Sequence, residues 1–184
     1  MGQYIAKPFV AGTPQAEVIG QTMISFADNL EASLIKPILE KNGVGTINPE
    51  GWYPHQLWMD ILKQMNDSLG GESSSAFVAF GRQVVVNAVM PDFIKTIPDA
   101  LNALHAIHHA NLRNIPAEEG YSIEVKGEKH YIVYHNTPNP DDVIYGFIWG
   151  LAARFKGSNE TFTVKMIDNP APHKARSALE VIWG

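Results

Sequence analysis

The sequence predicts an α+β domain in which a helical N-terminal half packs against an antiparallel sheet of about four strands carrying a crossover helix. Two observations carry this. From Thr22 to Leu112 apolar residues recur at three- and four-residue steps, the spacing of a helix face; from Tyr121 onward the pattern alternates in hairpin-like pairs separated by one more helical stretch. With 184 residues, 45% hydrophobic and 18% charged, the chain can bury one core and reads as a single domain over 1–184.

Residues 1–20 hold two prolines and three glycines without a helical period and are expected to form an irregular arm. Met23, Phe26, Leu30, Leu34 and Ile38 mark one face of a first helix, kinked or ended near Pro37. A Gly/Asn/Pro loop over 41–51 precedes Trp52-Tyr53-Pro54, which opens a second helix whose buried stripe is Leu57, Trp58, Ile61, Leu62, Met65 and Leu69. Gly70-Gly71 ends it. Ser73 to Ser75 offer N-caps for a third helix reaching about Val89, with Phe77, Phe80, Val84, Val85 and Ala88 inward. A fourth runs from Pro98 or Asp99 to Leu112, where Leu101, Leu104, His105, His108 and Leu112 share a face. Residues 121–125 and 129–134 form a hairpin with Gly127 at its tip. Asn139-Pro140-Asp141-Asp142 starts a fifth helix, and 161–167 with 178–183 close the sheet.

Fourteen basic against nineteen acidic side chains give a net charge of −5, and no Lys/Arg run occurs. A nucleic-acid partner is not expected, because phosphate neutralisation needs clustered positive charge. The lack of cysteine excludes disulfides, thiolate metal sites and a Cys nucleophile. Neither a signal peptide nor a membrane span is visible, so the expectation is a cytoplasmic domain.

His105, His108 and His109 form the densest titratable cluster. His105 and His109 lie one helical turn apart, the spacing for a shared metal, but the Glu of a His-Glu-x-x-His site is missing. A single imidazole aimed into an apolar cavity would suit axial haem ligation. The plainer reading makes one of the three a hydrogen-bonded core histidine and leaves the others at the surface. His130 and His135 fall on opposite faces of a strand, one of them exposed. Asp141 and Asp142 read as helix-start charges, and Glu118, Glu119, Asp60 and Lys63 as solvated ones. Gly146 and Gly150 read as small residues that let a helix approach the sheet. Trp58, Phe77, Phe80 and Leu104 either line an apolar pocket or are core. No nucleophile elbow, phosphate loop or dinucleotide fingerprint is present, which points away from an enzyme.

Leu101-Asn-Ala-Leu-His105, then Tyr134 at a strand end, then Asp142-Val-Ile-Tyr-Gly-Phe-Ile-Trp-Gly-Leu-Ala-Ala-Arg-Phe155 and an antiparallel hairpin resemble, in order and spacing, the haem nitric-oxide/oxygen binding (H-NOX) domains. The resemblance covers residues 91–167 well and the N-terminal helices loosely. The outline is also similar to the wider superfamily with vinyl-reductase-type small-molecule binding domains. In H-NOX domains a Leu-Asp-x-Leu-His segment supplies the proximal haem ligand, so the resemblance implies His105 as the iron ligand and Leu101, Leu104, Tyr134 and Asn136 as further haem contacts. Where that family has Tyr-x-Ser-x-Arg to hold the propionates, this chain reads Tyr134-His-Asn-Thr-Pro138. Tyr134 matches, Asn136 is a polar substitute for Ser, and Pro138 cannot pair with a carboxylate. His135, Arg113 or Arg154 would have to replace the arginine. Apolar burial of the macrocycle, at about 25 cal/mol per Å², can outweigh that one ion pair.

The expected function is therefore a non-enzymatic sensor of a small or gaseous ligand, with haem on His105, that signals to a partner protein through the helix at 98–113. The alternative is a cofactor-free module that binds an apolar ligand or a protein. An exposed aromatic patch would make the domain a homodimer, and the sequence locates none.

Overall fold

The computed structural model describes residues 3–27 and 32–184. The fold is α+β, as the sequence predicts. Helices come first: α1 (Gly20–Ala27), α2 (Ala32–Lys41), α3 (His55–Leu69), α4 (Ser73–Asn87) and α5 (Ile97–Asn111), with α6 (Asp141–Phe155) crossing over later. Short strands β1 (Glu17–Ile19), β2 (Trp52–Pro54) and β3 (Leu112–Arg113) form one antiparallel sheet in the order β2-β1-β3. The long strands β4 (Gly120–Gly127), β5 (His130–Asn136), β6 (Phe162–Ile167) and β7 (Ser177–Trp183) form the expected antiparallel sheet, in the order β4-β5-β7-β6.

The small sheet was not foreseen. Its strands hold at most three residues each, too few for an alternating pattern to register. Residues 17–19 therefore leave the irregular arm, and Trp52-Tyr53-Pro54 is a strand with Pro54 at the N-cap of α3 rather than its first turn. The expected first helix is described as α1 and α2, with residues 28–31 between them outside the described residues, and Pro37 sits inside α2, where its missing N–H costs one backbone bond. Leu30 and the Phe26 side chain, both assigned to that face, lie outside the described residues.

Gly70 ends α3 at φ 53°, as expected, but the following turn is 3₁₀ and Ser73 to Ser75 lie within α4 without capping it. α5 starts earlier than the proline suggests. Thr96 and Asp99 exchange side-chain and backbone bonds in a capping box. The β4–β5 hairpin turns at Glu128-Lys129, with Gly127 paired to His130 beside a bulge.

Two large apolar cores result, with a smaller one around Ile132, Tyr134, Ala171, Ala175 and Ala178. One joins α5, α6 and a sheet face through Leu101, Leu104, Val133, Ile148, Leu151 and Val181. The other joins α1 to α4 and β1 through Met23, Trp58, Met59, Ile61, Met65 and Phe77. α4 and α6 are pressed together between them. A Cβ on Gly81 would overlap the Val143 carbonyl, and one on Gly146 would overlap the Val78 carbonyl. Gly146 and Gly150 thus bring α6 onto α4, not onto the sheet.

Candidate functional site

The sequence-assigned site residues divide between two sides of α5. Leu101 and Leu104 are fully buried in the α5–α6–sheet core. His105 is half-buried on the other flank, where it lines a hollow of about 310 Å³ together with Tyr134 and Asn136 of β5. Three of the five assigned residues therefore converge. Gly120, Tyr121 and Ser122 of β4 form a second wall, and Gln3, Glu118 and Lys174 stand around it. Gly120 has φ 138° and packs so close that a Cβ there would come within 2.6 Å of His105 Nδ1.

The hydrogen bonds fix the chemistry of these groups. The Tyr121 backbone N–H donates to His105 Nδ1 at 3.3 Å. A neutral imidazole that accepts at Nδ1 carries its proton on Nε2. Burial and then the neighbouring His109 and His108 lower the His105 pKa, so the ring is held neutral. Tyr134 donates its hydroxyl to Glu124 at 2.6 Å, and that bond raises its pKa to about 12. Asn136 is saturated: its Oδ1 accepts from the Ala6 N–H at 2.8 Å, and its Nδ2 donates to the carbonyls of Tyr4 and Glu118.

Behind the hollow lies a buried polar network that sequence reasoning missed. Glu119, expected to be solvated, is 0% exposed. It takes the Tyr4 hydroxyl at 3.2 Å, meets His108 Nε2 at 3.2 Å, and its backbone carbonyl meets His109 Nε2 at 2.8 Å. Its solvated neighbour Glu118 behaves as expected. His55, at the start of α3, is also buried, and burial holds its pKa down to about 4.

His135 is the buried member of the β5 pair, and His130 sits at the surface bonded to Glu180. His135 Nε2 lies 2.7 Å from Asp141 Oδ1, which also accepts from Ser177 Oγ and meets Arg176. Burial would raise the Asp141 pKa, yet the bonds from His135 and the charge of Arg176 bring it below its ordinary value. Asp141 is therefore more than a helix-start charge. It ties α6 to β5 and β7.

The residues expected to line an apolar pocket are buried. Trp58, Phe77 and Phe80 are packed in the second core, and Leu104 is in the first. Another hollow of about 330 Å³ lies at the far sheet end, between Thr161–Thr163 and Ile182–Gly184, and carries no titratable side chain. No cluster of three or more metal-ligating side chains occurs among the described residues.

No protein-family model and no curated protein matches the chain. Solved structures do. A single-substitution variant of T. tengcongensis H-NOX has 12% identity and a TM-score of 0.63, over 89% of this chain and 94% of that one. An H-NOX protein from S. oneidensis in the Fe(II) ligation state has 11% identity and a TM-score of 0.64, over 90% and 96%. A structure concerned with haem redox potential and porphyrin distortion has 14% identity and a TM-score of 0.63, over 89% and 96%. At these identities the likeness shows the fold: this chain has the fold of the H-NOX domains.

The residues present do not fit a haem on His105. A metal-bound imidazole donates its second ring N–H to an acceptor, whereas His105 Nδ1 accepts from a backbone N–H, which leaves the proton on the nitrogen that would face iron. The hollow is at the bottom of the range of about 300–1,000 Å³ for small-ligand sites, and most of the side chains around it are polar in type, among them Gln3, Glu118, Ser122, Asn136 and Lys174. None of the substitutes for the propionate-binding arginine is free: Arg113 pairs with Glu17, Arg154 caps the Val85 and Ala88 carbonyls, and His135 is buried against Asp141.

Proposed function

We propose that this chain, an H-NOX-type fold, is a non-enzymatic sensing domain for a small polar molecule, with its binding site in the hollow beside His105 and no haem on that residue. The observation that carries this reading is the convergence of His105, Tyr134 and Asn136, from a helix and a strand, on one hollow whose wall residue Asn136 is bonded directly to Tyr4 and Ala6. A ligand there touches α5, the sheet and the N-terminal arm at once. It shifts any equilibrium among them by the difference in its affinity for the two arrangements, and a partner protein would read that shift.

The haem reading, which the likeness to haem-carrying domains brings, is separated from this one by absorption spectroscopy. Haemin titration is expected to give no saturable band that His105→Ala removes; a one-to-one Soret band lost in that variant would restore the haem assignment. Thermal denaturation against small polar compounds checks the hollow itself. A compound that raises the Tm of the wild type should lose its effect in Ser122→Trp, which fills the hollow, because stabilisation follows occupancy.

A further inference from the structure

Residues 3–16 cross the molecule with no helix and only a Lys7–Val10 bridge. They are strapped down by bonds to distant parts of the chain: Ala6 N–H to Asn136 Oδ1 at 2.8 Å, Phe9 N–H to the Pro138 carbonyl at 2.9 Å, Ala11 N–H to Gln56 Oε1 at 3.0 Å, and Thr13 Oγ1 to the Asn114 carbonyl at 2.6 Å. Phe9 is held at φ 59°, a costly backbone state for a bulky side chain that persists only while its surroundings enforce it.

Beneath the strap lie His55, His108 and Glu119, exposed by 1%, 7% and 0%. The strap is what covers the carboxylate. The Tyr4 hydroxyl donates to Glu119 Oε2, and Gly12 is so close that a Cβ there would overlap the same oxygen. The His55 backbone N–H donates to the Ala16 carbonyl at 2.7 Å, at the strap's far end, while His55 Nδ1 is buried with no partner. A second ring proton on His55 would therefore enter a space that offers Nδ1 no acceptor.

We propose that residues 3–16 are a pH-released strap, latched over His55, His108 and Glu119 and freed when His55 takes up a proton. The charged groups that act on His55 are Glu119, from the turn leading into β4, and His108, from α5. Glu119 favours the imidazolium; burial and His108 oppose it, and burial prevails. A state with the strap undocked returns the ring to water and gains protons relative to the closed state as pH falls below about 6.5. Release withdraws Gln3 from the hollow and Ala6 and Tyr4 from Asn136. That last consequence rests on the hollow being the ligand site; release itself does not, and it is measured without any ligand.

The test is amide hydrogen exchange of the full chain, corrected for intrinsic rates, from about pH 7.5 to about pH 4.5. Peptides from 4–16 should open by up to about tenfold more per pH unit below 6.5, while peptides from α6 keep their protection. His55→Gln should flatten that profile. Gly12→Val, whose side chain collides with Glu119, should open the strap at neutral pH. Strap protection that is flat with pH, that is lost only together with α6, that keeps its slope in His55→Gln, or that survives Gly12→Val would overturn the proposal. Each of these leaves the haemin and thermal-shift results untouched.

Discussion

A fully buried carboxylate is tolerable only while donors reach its oxygens, and Glu119 has them from Tyr4 and His108. Tyr4→Phe is accordingly expected to destabilise the fold by about 1–3 kcal/mol, the cost of leaving a buried polar group short of a partner, with urea denaturation as the check. A change within a few tenths of a kcal/mol would show that water or His108 already satisfies the carboxylate. Little of this was legible in the sequence. Glu118 and Glu119 are adjacent and identical in type, and only the folded backbone sends one to solvent and the other inward. The helix that carries His105 was legible from periodicity, and the choice of His105 over its neighbours came from the resemblance to the H-NOX domains. The proton on its ring was not, because it depends on a backbone N–H from β4.

At the scale of elements the decisive contact is α4 against α6. Glycines at 81 and 146 bring backbone against backbone, and Gly150 lies against the Val85 side chain, so the crossover helix packs directly on α4. Gly146→Leu should force these helices apart at a cost of about 3 kcal/mol or more, at or beyond the upper end for overpacked cores. Circular dichroism should show a lowered Tm. An unchanged Tm would mean that the two helices slide without loss. The close-approach role of Gly146 and Gly150 was visible in the sequence, but Gly81 and the partner helix were not: spacing along one helix does not say which neighbour fills the other side. The small β1–β2–β3 sheet was invisible for a different reason, since strands this short owe their pairing to the elements they join.

For the molecule as a whole, the buried histidines set how stability depends on acidity. His55, held near 4, and His135, also lowered by burial, bind fewer protons folded than unfolded. The His55 contribution is complete above the ordinary value of 6.5 and declines as pH falls from there toward 4, by up to about 1.4 kcal/mol per pH unit, and that of His135 declines in the same direction below 6.5. Asp141, lowered from 3.8, adds a later loss, which begins only as pH falls below that value. The Tm should be level above about pH 6.5 and decline below it; a curve flat down to pH 4 would contradict the buried, neutral state of both rings. The order of helices and hairpins, and so the fold, was readable from hydrophobic period alone. The arrangement that seals the histidines was not, because it unites the first residues with others 115 and 130 positions later.

That separation along the chain has a consequence during synthesis. Ala6 lies 130 residues before Asn136, and Tyr4 lies 115 before Glu119. At roughly 5–20 residues per second, the strap waits on the order of ten seconds on the ribosome before its binding groove has been translated. Its docking is then among the last steps of folding, and the helical half must settle first with His55 still in contact with water.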